Sequence, residues 1–199
     1  MGRVNRSGKK SGSKKVVVLV ICIILAVAVV LGGLYVFGDL GWQKKYPLEY
    51  EDTIVKYANE YNLDPYFVAA VINTESGFDA EASSNRGAMG LMQVMPETGE
   101  WIAGKLGIDN FSSDMLLDPE TNIRMGCWYL DFLGERFSGE EVIMAAYNAG
   151  HGKVQQWLED PQYSSDGKTL DNIPFEETDN YVKKVTKAYE EYKKHYELG

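Results

Sequence analysis

The sequence predicts a mainly α-helical domain behind a single N-terminal transmembrane helix, and three observations carry that prediction. Residues 16–37, VVVLVICIILAVAVVLGGLYVF, hold no charge. From residue 49 onward, apolar residues recur at the three-and-four spacing of amphipathic helices. Helix punctuation (Asp64–Pro65, Gly77, Gly107, Asp118–Pro119) falls between these stretches, and no convincing run alternates as strands do.

The first element is the apolar run. At ~1.5 Å per residue it would extend roughly 33 Å, enough to cross a bilayer core. A helix buried in a globular core is the plainer alternative, disfavoured by the length and uniformity of the run. A cleavable signal peptide is the stronger rival. Its apolar region is usually ~7–15 residues, followed by a small-x-small site. The segment VFGDLGWQ offers no such site, so the run is read as an uncleaved anchor. Ile21 before Cys22 is not the small residue a lipoprotein cleavage site needs. Residues 1–15 carry Arg3, Arg6, Lys9, Lys10, Lys14 and Lys15 and no acid, so this tail is expected to stay in the cytoplasm. Residues 38–48 read as a juxtamembrane linker broken by Gly and Pro. Residues 49–197 then form the domain outside.

Charge narrows what that domain touches. The chain has 20 basic and 29 acidic residues, and six bases precede residue 38. The remainder carries 14 bases against 29 acids, a net charge of −15. Nucleic acid, which demands a basic footprint, is excluded as a partner. The two cysteines, Cys22 in the span and Cys127 in the domain, are not expected to pair, and no zinc-ligand spacing is present. No metal and no cofactor is expected. Cys127 reads as a small core residue.

The domain's helices follow in order. EYEDTIVKYANEYNL places Ile54, Tyr57, Ala58 and Tyr61 on one face. Asp64–Pro65 is a cap followed by proline at the first helical position, and this helix should run to Ser76. Pro96 opens a segment ending near Gly107. Asp118–Pro119 repeats the start signal ahead of TNIRMGCWYLDFLGERF. Ser138 begins another helix, broken at Asn148 and Gly150, and HGKVQQWL follows it. FEETDNYVKKVTKAYEEYKKHY closes the domain with Tyr181, Val185 and Tyr189 on one face. Short extended pieces are expected around residues 80–95.

The stretch VINTESGFDAEASSNRGAMGLMQVMP, residues 71–96, carries the chemistry. Val68, Val71, Ile72 and Glu75 share one helix face, so the acid extends a core-facing stripe. Desolvation raises the pKa of such a carboxyl, and ~6–7 would make it a proton donor at neutral pH. The helix C-terminus pushes the same way. The plainer alternatives are an exposed helix-end acid, or an ion pair with Arg86 or Arg124. Gly87, Ala88 and Gly90 allow close backbone approach, while Met89, Met92, Met95 and Gln93 offer adaptable apolar and polar surface suited to a sugar. A loop pinned to the core by its methionines fits equally well. Tyr147 and Asn148 end the AAYNAG helix. Tyrosine there could serve a carboxyl and asparagine a sugar amide, or the two could be core and helix-end residues.

Taken together, Glu75–Ser76, GLMQVMP (90–96), NIRMGCWYL (122–130), AYNAG (146–150) and ETDNYV (177–182) resemble the soluble lytic transglycosylase family, whose domain is similar to goose-type lysozyme. The motifs occur in the family's order over roughly residues 49–196. The resemblance implies a lysozyme-like helical fold, with Glu75 as the single catalytic acid. Ser76 would orient Glu75 or the sugar's acetamido group. Met92 and Gln93 would line the cleft. Tyr147 would hydrogen-bond near the catalytic acid with Asn148 beside it, and Glu177 and Tyr181 would close onto the cleft. The implied substrate is peptidoglycan, cut between N-acetylmuramic acid and N-acetylglucosamine with a 1,6-anhydro end. Glycan strands and the membrane are then the partners, with cell-wall enzymes or an envelope assembly as further ones. Two other readings stand beside this one. A hydrolytic muramidase would use Asp79, Glu81 or Glu177 as a second carboxylate, and a non-catalytic glycan-binding scaffold would use none.

Overall fold

The computed structural model describes residues 11–198, of which α1, Ser11–Lys45, forms one unit and the residues from Tyr46 onward a second. Helix α1 contains an 18-residue window, Val16–Gly33, with a mean hydropathy of 3.3, long and apolar enough to cross a membrane. Most of the basic tail lies outside the described residues. The expected break at residue 38 does not occur, because α1 continues to Lys45. Isolated glycines within a helix cost only about 1 kcal/mol each against alanine, too little to stop one. The connection is therefore shorter than 38–48, and Pro47 stands where the chain leaves the helix.

The second unit contains seven α-helices: α2 (Glu51–Glu60), α3 (Pro65–Glu75), α4 (Pro96–Leu106), α5 (Pro119–Gly134), α6 (Glu140–Ala149), α7 (His151–Glu159) and α8 (Glu176–His195). A short 3₁₀ helix, Ser113–Leu117, precedes α5 and had no sequence signal. Helix α6 starts two residues after Ser138, with Gly139 at its N-cap. Between residues 80 and 95 only two isolated bridges form, Ser83 with Met89 and Met89 with Val94.

Helix α3 is the centre of the unit. Val68, Ala69, Ala70, Val71 and Ile72 are all buried along it. Helix α8 packs most extensively on α3, and α2 covers another side. Each fully buried Val or Ile contributes about 1.5–3 kcal/mol relative to exposure. The start of α3 is doubly fixed. Asp64 Oδ1 accepts the Tyr66 amide at 2.9 Å, which caps the helix, and Asp64 Oδ2 accepts the Tyr189 hydroxyl of α8 at 2.7 Å. Asp118 caps α5 in the same way through the Thr121 amide at 2.8 Å. Cys127 is fully buried in α5, and burial pushes its thiol far above the usual range, as a core residue requires.

Candidate active site

Glu75 is the last residue of α3, and the chain turns immediately after it. Gly77 and Phe78 both take left-handed backbone angles, φ 63 and φ 70. The turn drives the Phe78 ring into the core at 4% exposure. Ser76 is spent on this turn: its Oγ donates to the Ile72 carbonyl at 3.3 Å and accepts the Phe78 amide at 3.1 Å. It therefore holds the end of the helix that carries Glu75, and it is not among the residues that line the cleft.

Beside Glu75 lies a cleft of about 520 Å³. Its lining comprises Glu75, the turn Ser84–Asn85–Arg86 with Ala88, Gln93 and Met95, and Tyr147, Asn148 and Glu177. Five of the eight residues predicted for the site are thus brought together, from α3, the 84–95 loop, α6 and α8. Among the described residues no three His, Cys, Asp or Glu side chains are grouped to hold a metal ion.

The loop owes its shape to a residue outside the predicted set. Asn122, fully buried in α5, accepts the Met92 amide at 2.7 Å. Its Nδ2 donates to the Leu116 carbonyl at 2.7 Å and the Met89 carbonyl at 2.9 Å. Gly90 must be glycine here, since φ is 74 and a Cβ would collide with the Leu116 carbonyl and the Asn122 amide. Gln93 also takes a left-handed angle, φ 49, and its Nε2 donates to the Gly90 carbonyl at 2.9 Å and the Ala82 carbonyl at 3.1 Å. An asparagine inside the apolar stripe of α5 was the available signal for this anchor.

Met92 corrects an expectation. Its side chain is fully buried, its sulfur against Gly126 of α5, and it contributes to the site through its backbone. Met95 is the methionine that lines the cleft. Tyr147, in the cleft lining with Glu75, donates its hydroxyl to the Met92 carbonyl at 2.8 Å. Tyr181, 7% exposed, also stands beside the acid. Its buried hydroxyl faces the Glu75 carboxyl and favours the charged form as a hydrogen-bond donor. Asn148 Oδ1 accepts the Thr178 hydroxyl at 2.8 Å, tying the end of α6 to α8.

Burial raises the Glu75 pKa to about 7, and the Tyr181 hydroxyl offsets a part of that rise. Neither of the cationic partners considered from the sequence pairs with it. Arg86 pairs with Glu177 at 3.5 Å, and Arg124 is engaged by Tyr61. Burial also lifts the Tyr147 and Tyr181 phenols far up, with the nearby Glu75 charge adding to it, so both stay protonated. A carboxyl protonated half the time at neutral pH, in a cleft with amide and hydroxyl groups, can give and take a proton. Of the other carboxylates considered, Glu177 lines the cleft, whereas Asp79 Oδ1 accepts the Glu81 amide at 3.0 Å in an exposed turn.

This arrangement has relatives. The family model described as Transglycosylase SLT domain matches residues 52–169. The soluble lytic murein transglycosylase of Escherichia coli K12 is 36% identical over 157 residues, covering 77% of this chain and 24% of the relative. The membrane-bound lytic murein transglycosylase C of Actinobacillus pleuropneumoniae is 29% identical over 170 residues, covering 72% of this chain and 46% of the relative. The crystal structure of the 70 kDa soluble lytic transglycosylase of E. coli superposes with a TM-score of 0.68 at 32% identity, covering 77% of this chain and 25% of that one. An inactive glutamate-to-glutamine mutant of the Pseudomonas aeruginosa lytic transglycosylase Slt gives 0.65 at 35% identity, covering 75% and 25%. The chain thus spans about a quarter of the length of the E. coli relative, and these neighbours share the mainly helical, lysozyme-like fold expected from the sequence. By the extent of the match and this level of identity, the chain belongs to the Transglycosylase SLT domain family.

Proposed function

We propose that this protein is a peptidoglycan lytic transglycosylase, cleaving the bond between N-acetylmuramic acid and N-acetylglucosamine with Glu75 acting as acid and then base. The observation that carries the reading is the Glu75 carboxyl itself, half-buried in the cleft, paired with no cation and with a pKa of about 7. Protonated Glu75 gives its proton to the glycosidic oxygen, and the bond to C1 of the muramoyl sugar breaks. The acetamido group of that sugar stabilises the positive charge left on C1. The Glu75 carboxylate then takes the proton of the same sugar's C6 hydroxyl, whose oxygen bonds to C1 and closes the 1,6-anhydro ring. One carboxyl suffices, because no water is consumed. Family membership and the inactive glutamate mutant of the Pseudomonas relative support this reading.

The test is mass spectrometry of muropeptides released from peptidoglycan by the full chain, with Glu75→Gln in parallel. Products lighter than reducing muropeptides by one water, absent with the variant, are expected. Reducing ends would replace the proposal with hydrolysis and make Glu177 the second carboxylate to test. Binding without release would leave a glycan-binding scaffold.

Helix α1 fits an uncleaved single-pass anchor, with the basic tail in the cytoplasm and the catalytic unit facing the wall. The apolar window Val16–Gly33 and the membrane-bound relative support it. Fractionation should recover the full-length chain with membranes, and a shortened soluble form would overturn the anchor.

A further inference from the structure

Arg86 is the one cation among the described residues lining the cleft. It stands in a strongly acidic domain, with 14 bases against 29 acids beyond residue 37. The turn that presents it is well fixed. Ser84 Oγ accepts the amides of Arg86 at 3.3 Å and Ala88 at 3.0 Å. The Gly87 amide donates to the Ser84 carbonyl at 2.9 Å, with Gly87 at φ 85. The Arg86 side chain, 81% exposed, therefore stands on the lining of the cleft that holds the half-buried Glu75.

Its partner is Glu177, 68% exposed, at 3.5 Å. That separation exceeds the ~2.7–2.9 Å of a tight charge-assisted bond. An exposed pair of this kind contributes little stability. Glu177 orients the guanidinium, and an incoming carboxylate can replace it at small cost, because one ion pair opens as another forms. The planar fork of arginine matches a carboxylate in both shape and charge.

We propose that Arg86 reads a free carboxylate on the peptide substituent of the glycan strand, exchanging Glu177 for it, so that the site prefers anionic over amidated stem peptides. This rests on the transglycosylase reading, which makes peptidoglycan the ligand. The sugar backbone is neutral, and its peptides hang from the lactyl group of the muramoyl sugar. Arg86, exposed on the lining of the cleft, is placed to meet such a peptide.

The test uses the full chain in detergent and paired muropeptides that differ only in a free or amidated peptide carboxylate. Binding is measured by calorimetry with Glu75→Gln, and kcat/KM with the parent. A preference of about two- to fivefold for the free carboxylate is expected, of the size an exposed ion pair supports. Arg86→Gln should bring the preference close to one, and Arg86→Lys should retain part of it. Added salt should weaken it. A parent without preference, or an Arg86→Gln chain that keeps it, overturns the proposal. So does an equal loss on both ligands, which would mark a structural role for the turn. Charge-selective binding without turnover by the parent would instead overturn the transglycosylase reading alone, and no binding of either ligand would overturn both.

Discussion

Asn122 Oδ1 holds the Met92 amide at 2.7 Å across thirty residues of sequence, while its Nδ2 serves two further carbonyls of the loop and the 3₁₀ helix. Asn122→Ala leaves the Met92 amide and the Leu116 carbonyl short of a partner, while the Met89 carbonyl keeps the Val94 amide at 3.1 Å. Each buried unsatisfied group costs about 1–3 kcal/mol, so a loss of about 2 kcal/mol or more is expected in urea unfolding. Asn122→Asp should not rescue it, because a carboxylate cannot donate to the two carbonyls.

Gly90 and Gly126 are both closed to a methyl group, for unequal reasons. At Gly90 the obstacle is the Leu116 backbone carbonyl, and φ is 74. At Gly126 it is the Met92 side chain, whose end can swing. Gly126→Ala should cost about 1–3 kcal/mol, the usual range of overpacking. Gly90→Ala should cost more and abolish activity. Thermal unfolding of the two variants checks the order, and equal losses would contradict it.

Glu75 makes stability depend on pH. Its carboxyl binds its proton more tightly in the folded chain, with a pKa of about 7 against an ordinary 4.5. Below 4.5 both states are protonated and burial of the neutral acid is free of penalty. Stability falls as pH rises from there to about 7, and above that the full penalty is present. Its size is roughly 3 kcal/mol, from 1.36 kcal/mol per pKa unit. The stability of Glu75→Gln minus that of the parent should therefore grow between pH 4.5 and 7 and then level off. Urea unfolding of both chains across that range measures it, and a flat difference would show the carboxyl to be solvated.

Tyr181→Phe removes the hydroxyl that partly offsets the rise at Glu75. The acid should then hold its proton to higher pH, and the alkaline limb of the kcat profile should move upward. Stability should change by about 1 kcal/mol, the usual net worth of one hydrogen bond. An unmoved limb would separate Tyr181 from the proton chemistry.

Local signals reached the helices because helix starts and stops are written in adjacent residues. Asp64–Pro65 and Asp118–Pro119 cap α3 and α5 as read, and Gly107 ends α4 at φ 67. Glu75 was legible because it stands on the face set by Val68, Val71 and Ile72. The roles of Met92, Tyr147 and Asn122 were not, because each is decided by a partner distant in sequence. Met92 is turned inward by the space at Gly126, and its carbonyl takes the Tyr147 hydroxyl. The ion pair of Arg86 with Glu177 joins residues 91 positions apart, beyond the reach of any periodicity.

The burial of α3 has a consequence for how the molecule breathes. Amides of Val68 to Ile72 lie in the most enclosed helix of the unit, so hydrogen exchange there should proceed only through global unfolding. Exposed amides of the 84–88 turn should exchange through small local openings. The acid is thus anchored to the slowest-exchanging helix of its unit.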